Sequence, residues 1–224
     1  MWVAGRETLL TKRLLRMSRM RHAVNVTTTA SRDSGAAARR RLLEAAVEAF
    51  GVRGYHATTT RDIAARARMS PAAVYVHHAS KEELLYAISR EGHEVTLRLI
   101  REAYQETDPV LRLRAVVRDF TVWHARRHAV ARIVQYELSA LTPEHFAVVA
   151  AVRHEIELVM RRTLQDGVDA DVFEVRDLPG SALALLSLGI DVARWFRAGG
   201  ATTADDLGEL YADLAVRMVT PRSR

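Results

Sequence analysis

Tyr75, His77 and Lys81 fall within one short stretch, directly after Ser70, Pro71, Ala72 and Ala73. A phenol, an imidazole and an ammonium are donors suited to phosphate oxygens. Small side chains let a backbone come close to a partner, and the methyl groups of Ala72 and Ala73 can meet a thymine methyl. The chemistry this set can do is therefore the reading of DNA, not the making or breaking of bonds. A metal at His77 and His78 is disfavoured, because adjacent helical residues point about 100° apart.

Such residues work only if the chain presents them on two short helices joined by a sharp turn. Thr60 has the character of an N-cap for "RDIAARA", with Ile63 and Ala64 facing inward. Ser70 caps "PAAVYVHH", and Pro71 stands at the first helical position, where a missing N–H costs nothing. The few residues between them predict a helix-turn-helix. In that arrangement Ser70 through Ala73 approach base edges, Val74 faces the core, and Tyr75 and His77 reach phosphates. Ser80 caps the next helix, where Lys81 adds charge beside exposed N–H groups, a phosphate grip. Upstream, "AAARRRLLEAAVEAFGVRG" places Leu42, Ala46, Val47 and Phe50 on one helical face, with Gly51 and Gly54 to close it.

The text "EAFGVRGYHATTTRDIAARARMSPAAVYVHHASKEELL" resembles the TetR family of transcriptional regulators over residues 41–85. The resemblance implies that Thr60 and Arg61 contact DNA from the first helix of the motif. It gives Ser70, Pro71, Ala72 and Ala73 to bases, and Tyr75, His77 and Lys81 to phosphates. Two positions depart from the family pattern. Arg68 replaces the usual turn glycine, so it must adopt a left-handed conformation at some cost or reshape the turn. His78 replaces the usual phenylalanine, weakening or rebuilding the hydrophobic plug under the recognition helix.

The rest of the chain reads as helix, and no period-2 alternation is sustained, so the fold expected is all-α. Asp108 before Pro109, Thr142 before Pro143, and Thr203 before Asp205 and Asp206 mark helix starts. "DPVLRLRAVVRDFTVWHARRHAVARIVQYELSAL" is one or two helices. Residues 1–35 are basic and end in a polar linker, consistent with a flexible arm or with a start at Met17 or Met20. The organisation expected is that extension, a DNA-binding domain over 36–82, and a helical ligand-binding and dimerisation domain over 83–224. The net charge of +6 suits a polyanionic partner. Cysteine is absent and lysine occurs only at positions 12 and 81. No disulfide framework or thiolate site is possible, which suits a reducing cytoplasm. No apolar run approaches a membrane span.

In the TetR family the carboxy-terminal part binds a small molecule and pairs through its last two helices. The resemblance thus implies a homodimer on a palindromic operator. Leu183, Leu186, Leu188 and Ile190, then Leu207, Leu210, Leu214 and Met218, offer apolar stripes for a four-helix interface or for the protomer's own core. Candidate ligand contacts are Phe120, Trp123, Tyr136 and Trp195, with Phe146 also in view, and Arg127 and Arg153 for an anion. "ARWFRAGGATTADDLGELYADLAVRMV" is similar to the tail of actinobacterial regulators of lipid and steroid catabolism, which implies an acyl-CoA effector. A hydrophobic drug-like effector is the alternative. His124 and His128 have the i,i+4 spacing of a metal pair, but Arg126 and Arg127 intervene and no acidic third ligand is near, so neither a metal nor a cofactor is expected. No nucleophile–base set, phosphate loop or metal cluster supports an enzyme with an accessory head.

Overall fold

The computed structural model describes residues 35–221. The basic extension and its alternative starts lie outside them. The chain divides into two units between Leu42 and Leu43, and of the first only residues 35–42 are described. The described residues form nine α-helices and one 3-10 turn, with no strand, so the all-α expectation holds.

The head of the second unit uses residues 43–53 of α1 (residues 35–53), α2 (Thr60–Arg66) and α3 (Pro71–His77). α1 runs through Gly51 and stops at Gly54, whose φ of +77° belongs to the left-handed region. Of the two glycines expected to close it, only the second does. Thr58 ties the following turn down: its Oγ1 donates to the carbonyls of Gly54 (2.7 Å) and Ala49 (3.2 Å). Ile63 and Val74 are completely buried, as their spacing predicts.

The body follows as α4 (Lys81–Ala103), α5 (Pro109–Arg126), α6 (His128–Tyr136), a 3-10 turn (Leu138–Ala140), α7 (Pro143–Asp169), α8 (Leu178–Trp195) and α9 (Ala204–Val219). Each long helix begins where its sequence supplies an acceptor for orphan N–H groups. Ser80 Oγ accepts from Glu83 N, and Asp108 Oδ1 accepts from Val110 N and Leu111 N. Thr203 and Asp206 form a reciprocal capping box. The ambiguous stretch resolves into two helices, broken at Arg127 (φ −108°, ψ 28°). α5 is the central element, packed on α4, α7, α8 and above all α9. Ile100, Leu113, Val116, Met160, Leu164 and Ala182 are wholly buried around it. Arg112 pairs with Asp166 and Arg114 with Asp213, which ties α5 to α7 and α9. Gly189 lets α8 come close: a Cβ there would stand 2.7 Å from the Phe120 ring.

Candidate nucleic-acid interface and interior cavity

The start of α2 differs by one residue from expectation. Thr59, not Thr60, is the N-cap. Its hydroxyl accepts from Asp62 N at 3.2 Å, while its backbone N–H donates to Asp62 Oδ2 at 2.9 Å. Those bonds from Thr59 hold the Asp62 carboxyl below its usual range. The aspartate three residues on decides the cap, because only Thr59 can form the reciprocal box with it. Thr60 is thereby freed, and its Oγ1 lies 3.2 Å from the Tyr75 hydroxyl. The two predicted DNA-contacting groups form one polar edge across α2 and α3.

Ser70 caps α3 as expected, with its Oγ accepting from Ala73 N at 3.2 Å. Arg61, Ser70, Pro71, Ala72 and Tyr75 are exposed; Ala73 and His77 are partly so. Val76, 78 % exposed, was not anticipated. It lies two residues from the buried Val74 on a helix, so it points away from the core.

The turn keeps the geometry a glycine would give. Arg68 has φ +55°. Its N–H donates to Ala65 O (3.2 Å) and the N–H of Met69 to Ala64 O (2.9 Å). These two bonds are the Schellman closure of a helix, with Arg68 at the left-handed position. His78 is buried at the end of α3, so an imidazole fills the place of the expected phenylalanine.

Lys81 is used differently from the phosphate grip the resemblance implied. Its Nζ donates to the carbonyls of Tyr55 (2.8 Å), Thr58 (2.8 Å) and His56 (3.3 Å). It also sits 4.3 Å from the centre of the Tyr55 ring. An ammonium has three donors, and all three meet carbonyls. The first residue of α4 is thus bolted to the turn before α2.

The body contains a cavity of about 330 Å³. α4 supplies His93 and Thr96 to its wall, α5 Phe120, Trp123 and His124, α6 Gln135, α7 Phe146 and Arg153, and α8 Leu186 and Ile190. Four of the residues singled out from sequence, Phe120, Trp123, Phe146 and Arg153, come together here. Three do not. Arg127 stands at the α5–α6 break. Tyr136 is exposed and lines a separate cleft beside Val47 and Arg66. Trp195 lies with Leu188, Leu210 and Leu214 on the outer face of α8 and α9. His93 and Gln135 carried no sequence motif; they are identified only by the approach of five helices.

The polar end of the cavity centres on Arg153. Its Nη1 donates to Gln135 Oε1 at 2.6 Å and lies 3.3 Å from His93 Nε2. His93 Nδ1 is 2.7 Å from the Ser89 carbonyl, so Nδ1 carries the hydrogen and Nε2 is an acceptor. Burial, reinforced by the charge of Arg153, pushes His93 down to about 4. Burial also lowers Arg153 from the ordinary arginine range. The guanidinium is held by two uncharged groups, with no carboxylate at ion-pair distance among the described residues. Glu157 also lines the cavity, but no ion pair joins it to Arg153. The i,i+4 pair His124 and His128 does not share a helix: Arg127 interrupts it, and each Nδ1 faces a backbone carbonyl instead.

Residues 42–88 match bacterial regulatory proteins of the tetR family, and residues 106–219 match the tetracyclin repressor-like C-terminal domain. A solved regulatory protein of the tetR family from Rhodococcus RHA1 is 44 % identical, with a TM-score of 0.79 over 83 % of this chain and 98 % of that one. The transcriptional repressor KstR2 of Mycobacterium tuberculosis is 28 % identical over 188 residues, 80 % of this chain and 91 % of its own. The regulator AibR, solved with isovaleryl coenzyme A and operator DNA, is 27 % identical, with a TM-score of 0.72 over 83 % of this chain and all of that one.

Proposed function

The chain belongs to the TetR family of bacterial regulatory proteins, and on that premise we propose that it is a dimeric repressor released from a palindromic operator by an acyl-CoA thioester. One observation carries the coupling. α4 begins at Lys81, fixed to three carbonyls of the head, and presents His93 to the cavity about 18 Å further along its axis. A molecule that fills the cavity better in one setting of α4 than another shifts the heads accordingly.

We keep the functional boundary near residue 82. On the head, Ser70 through Ala73 meet base edges, with Arg61, Thr60, Tyr75 and His77 at the backbone. Lys81 acts by holding α4 to the head. In the body, Arg153 meets an oxygen of the effector, and Phe120, Trp123 and Phe146 enclose its apolar part. Leu188, Trp195, Leu210, Leu214 and Met218 are exposed on α8 and α9, while Leu186 and Leu207 are buried. The stripes serve both purposes, and the exposed half fits a second copy. The relatives support the effector class: AibR is solved with an acyl-CoA, and KstR2 is a ketosteroid regulator. The body is assigned to binding, not to catalysis.

The test is footprinting of the full chain on its own upstream DNA at fixed salt, with and without acyl-CoAs of varied chain length. Fixed salt matters because phosphate contacts make affinity strongly salt-dependent. A protected palindrome released by a thioester is the expected result. A palindrome that ignores thioesters but releases with uncharged hydrophobic drugs would replace the effector class and keep the repressor.

A further inference from the structure

The polar end of the cavity has a second member whose demand is the opposite of that of Arg153. His124 lines the wall from α5. Its Nδ1 lies 2.8 Å from the Phe120 carbonyl, which can only accept, so Nδ1 carries the hydrogen. Burial keeps the ring uncharged by pushing it down to about 4. Nε2 is therefore a lone-pair acceptor. That atom is buried, and no protein group donates to it. The neighbouring His93 differs, since its Nε2 already faces Arg153. An unmet buried acceptor is costly, and in a native structure it asks for a partner.

Resting on the reading of this cavity as the effector site, we infer that the effector is an oxygenated apolar molecule, with one oxygen accepting from Arg153 and a hydroxyl donating to His124 Nε2. The wall around the pair is Phe120, Trp123, Ile156, Leu186 and Ile190, which takes an aliphatic or ring body. The donor is a hydroxyl and not an ammonium, because the charge of Arg153 bears on His124 and repels a cation. A plain acyl chain leaves Nε2 as it is in the free protein. A hydroxylated one satisfies it, and the two should differ by about tenfold in affinity.

The experiment is calorimetric titration of the full chain with octanoyl-CoA, 3-hydroxyoctanoyl-CoA and 8-hydroxyoctanoyl-CoA. The wild type should bind one hydroxylated thioester about tenfold more tightly than octanoyl-CoA. His124→Leu should abolish that preference. His124→Gln, which keeps an acceptor, should retain part of it. Arg153→Leu should weaken all three alike. Equal binding of all three by the wild type, or a preference that survives His124→Leu, overturns the hydroxyl assignment; if Arg153→Leu still weakens them, the cavity remains the effector site. Thioester binding that neither Arg153→Leu nor His124→Leu alters overturns the cavity reading itself, and the inference with it.

Discussion

At the scale of residues, the two buried histidines give the body a defined acid limit. His93 and His124 are held near 4, below their ordinary value of 6.5. Both are therefore uncharged in the folded chain, whereas the unfolded chain takes up protons below about pH 6.5. Stability is complete above that pH and declines as pH falls toward 4, by on the order of 3 kcal/mol for each histidine. Urea unfolding at a series of pH values should show this slope, and His93→Gln with His124→Gln should flatten it. Arg68 holds a left-handed φ that costs a non-glycine residue about 1–2 kcal/mol. Arg68→Gly should thus stabilise the chain by about 1 kcal/mol after glycine's own entropic cost, a rise in Tm of about 2–4 °C. Tyr75→Phe removes a donor without removing a charge. Operator affinity should fall about tenfold or more, equally across operator variants, with the slope of affinity against salt unchanged. The residues of the head were legible because each is bound to a local rule of capping or turn chemistry. The shift from Thr60 to Thr59 shows the limit: two adjacent threonines satisfy the N-cap preference, and only the reach of Asp62 separates them.

At the scale of elements, a second connection joins the cavity to the start of α4. Glu82 Oε1 accepts from Thr142 N at 3.0 Å and lies 2.9 Å from His145 Nδ1. The His145 ring stacks on Tyr86, with centroids 3.8 Å apart and planes within 3°. The same first turns of α7 carry Phe146 to the cavity, and Arg153 follows on that helix. With the cavity read as the effector site, a shift of α7 there would reach the residue beside Lys81 through these contacts. Glu82→Ala should leave operator affinity within about threefold while cutting the effector's releasing power about tenfold, the size of a typical coupling energy. Paired gel-shift titrations with and without effector measure both quantities. Helix positions in the body were legible from their caps, since Asp108, Thr142 and Thr203 all serve as read. The break at Arg127 was not, because no glycine or proline marks it; the chain turns there between two helices that each bury their own face. For the same reason only some of the residues singled out for a ligand line the cavity. Apolar type picked out Phe120 and Trp123, but it could not tell the cavity from the outer face where Trp195 lies.

At the scale of the whole molecule, the exposed row Leu188, Leu210, Leu214 and Met218 sets the expected assembly. Leu210→Glu with Leu214→Glu should leave the fold intact and yield monomers by analytical ultracentrifugation. Operator affinity should then fall by about 10²-fold or more, because two heads no longer bind as one unit. The fate of Lys81 reaches beyond architecture, to the chemistry of the chain toward electrophiles. Lysine occurs at positions 12 and 81 alone, so Lys81 is the one primary amine of the described residues, and it is engaged with three carbonyls. An acylating reagent should modify it slowly, at a rate set by how often the head lets go of α4. Acylation by a reactive thioester, if it occurred, would remove the charge and loosen the head permanently. The extent of label at Lys81, read by mass spectrometry of the untouched protein, is therefore a clock for the opening of its own DNA-binding domain.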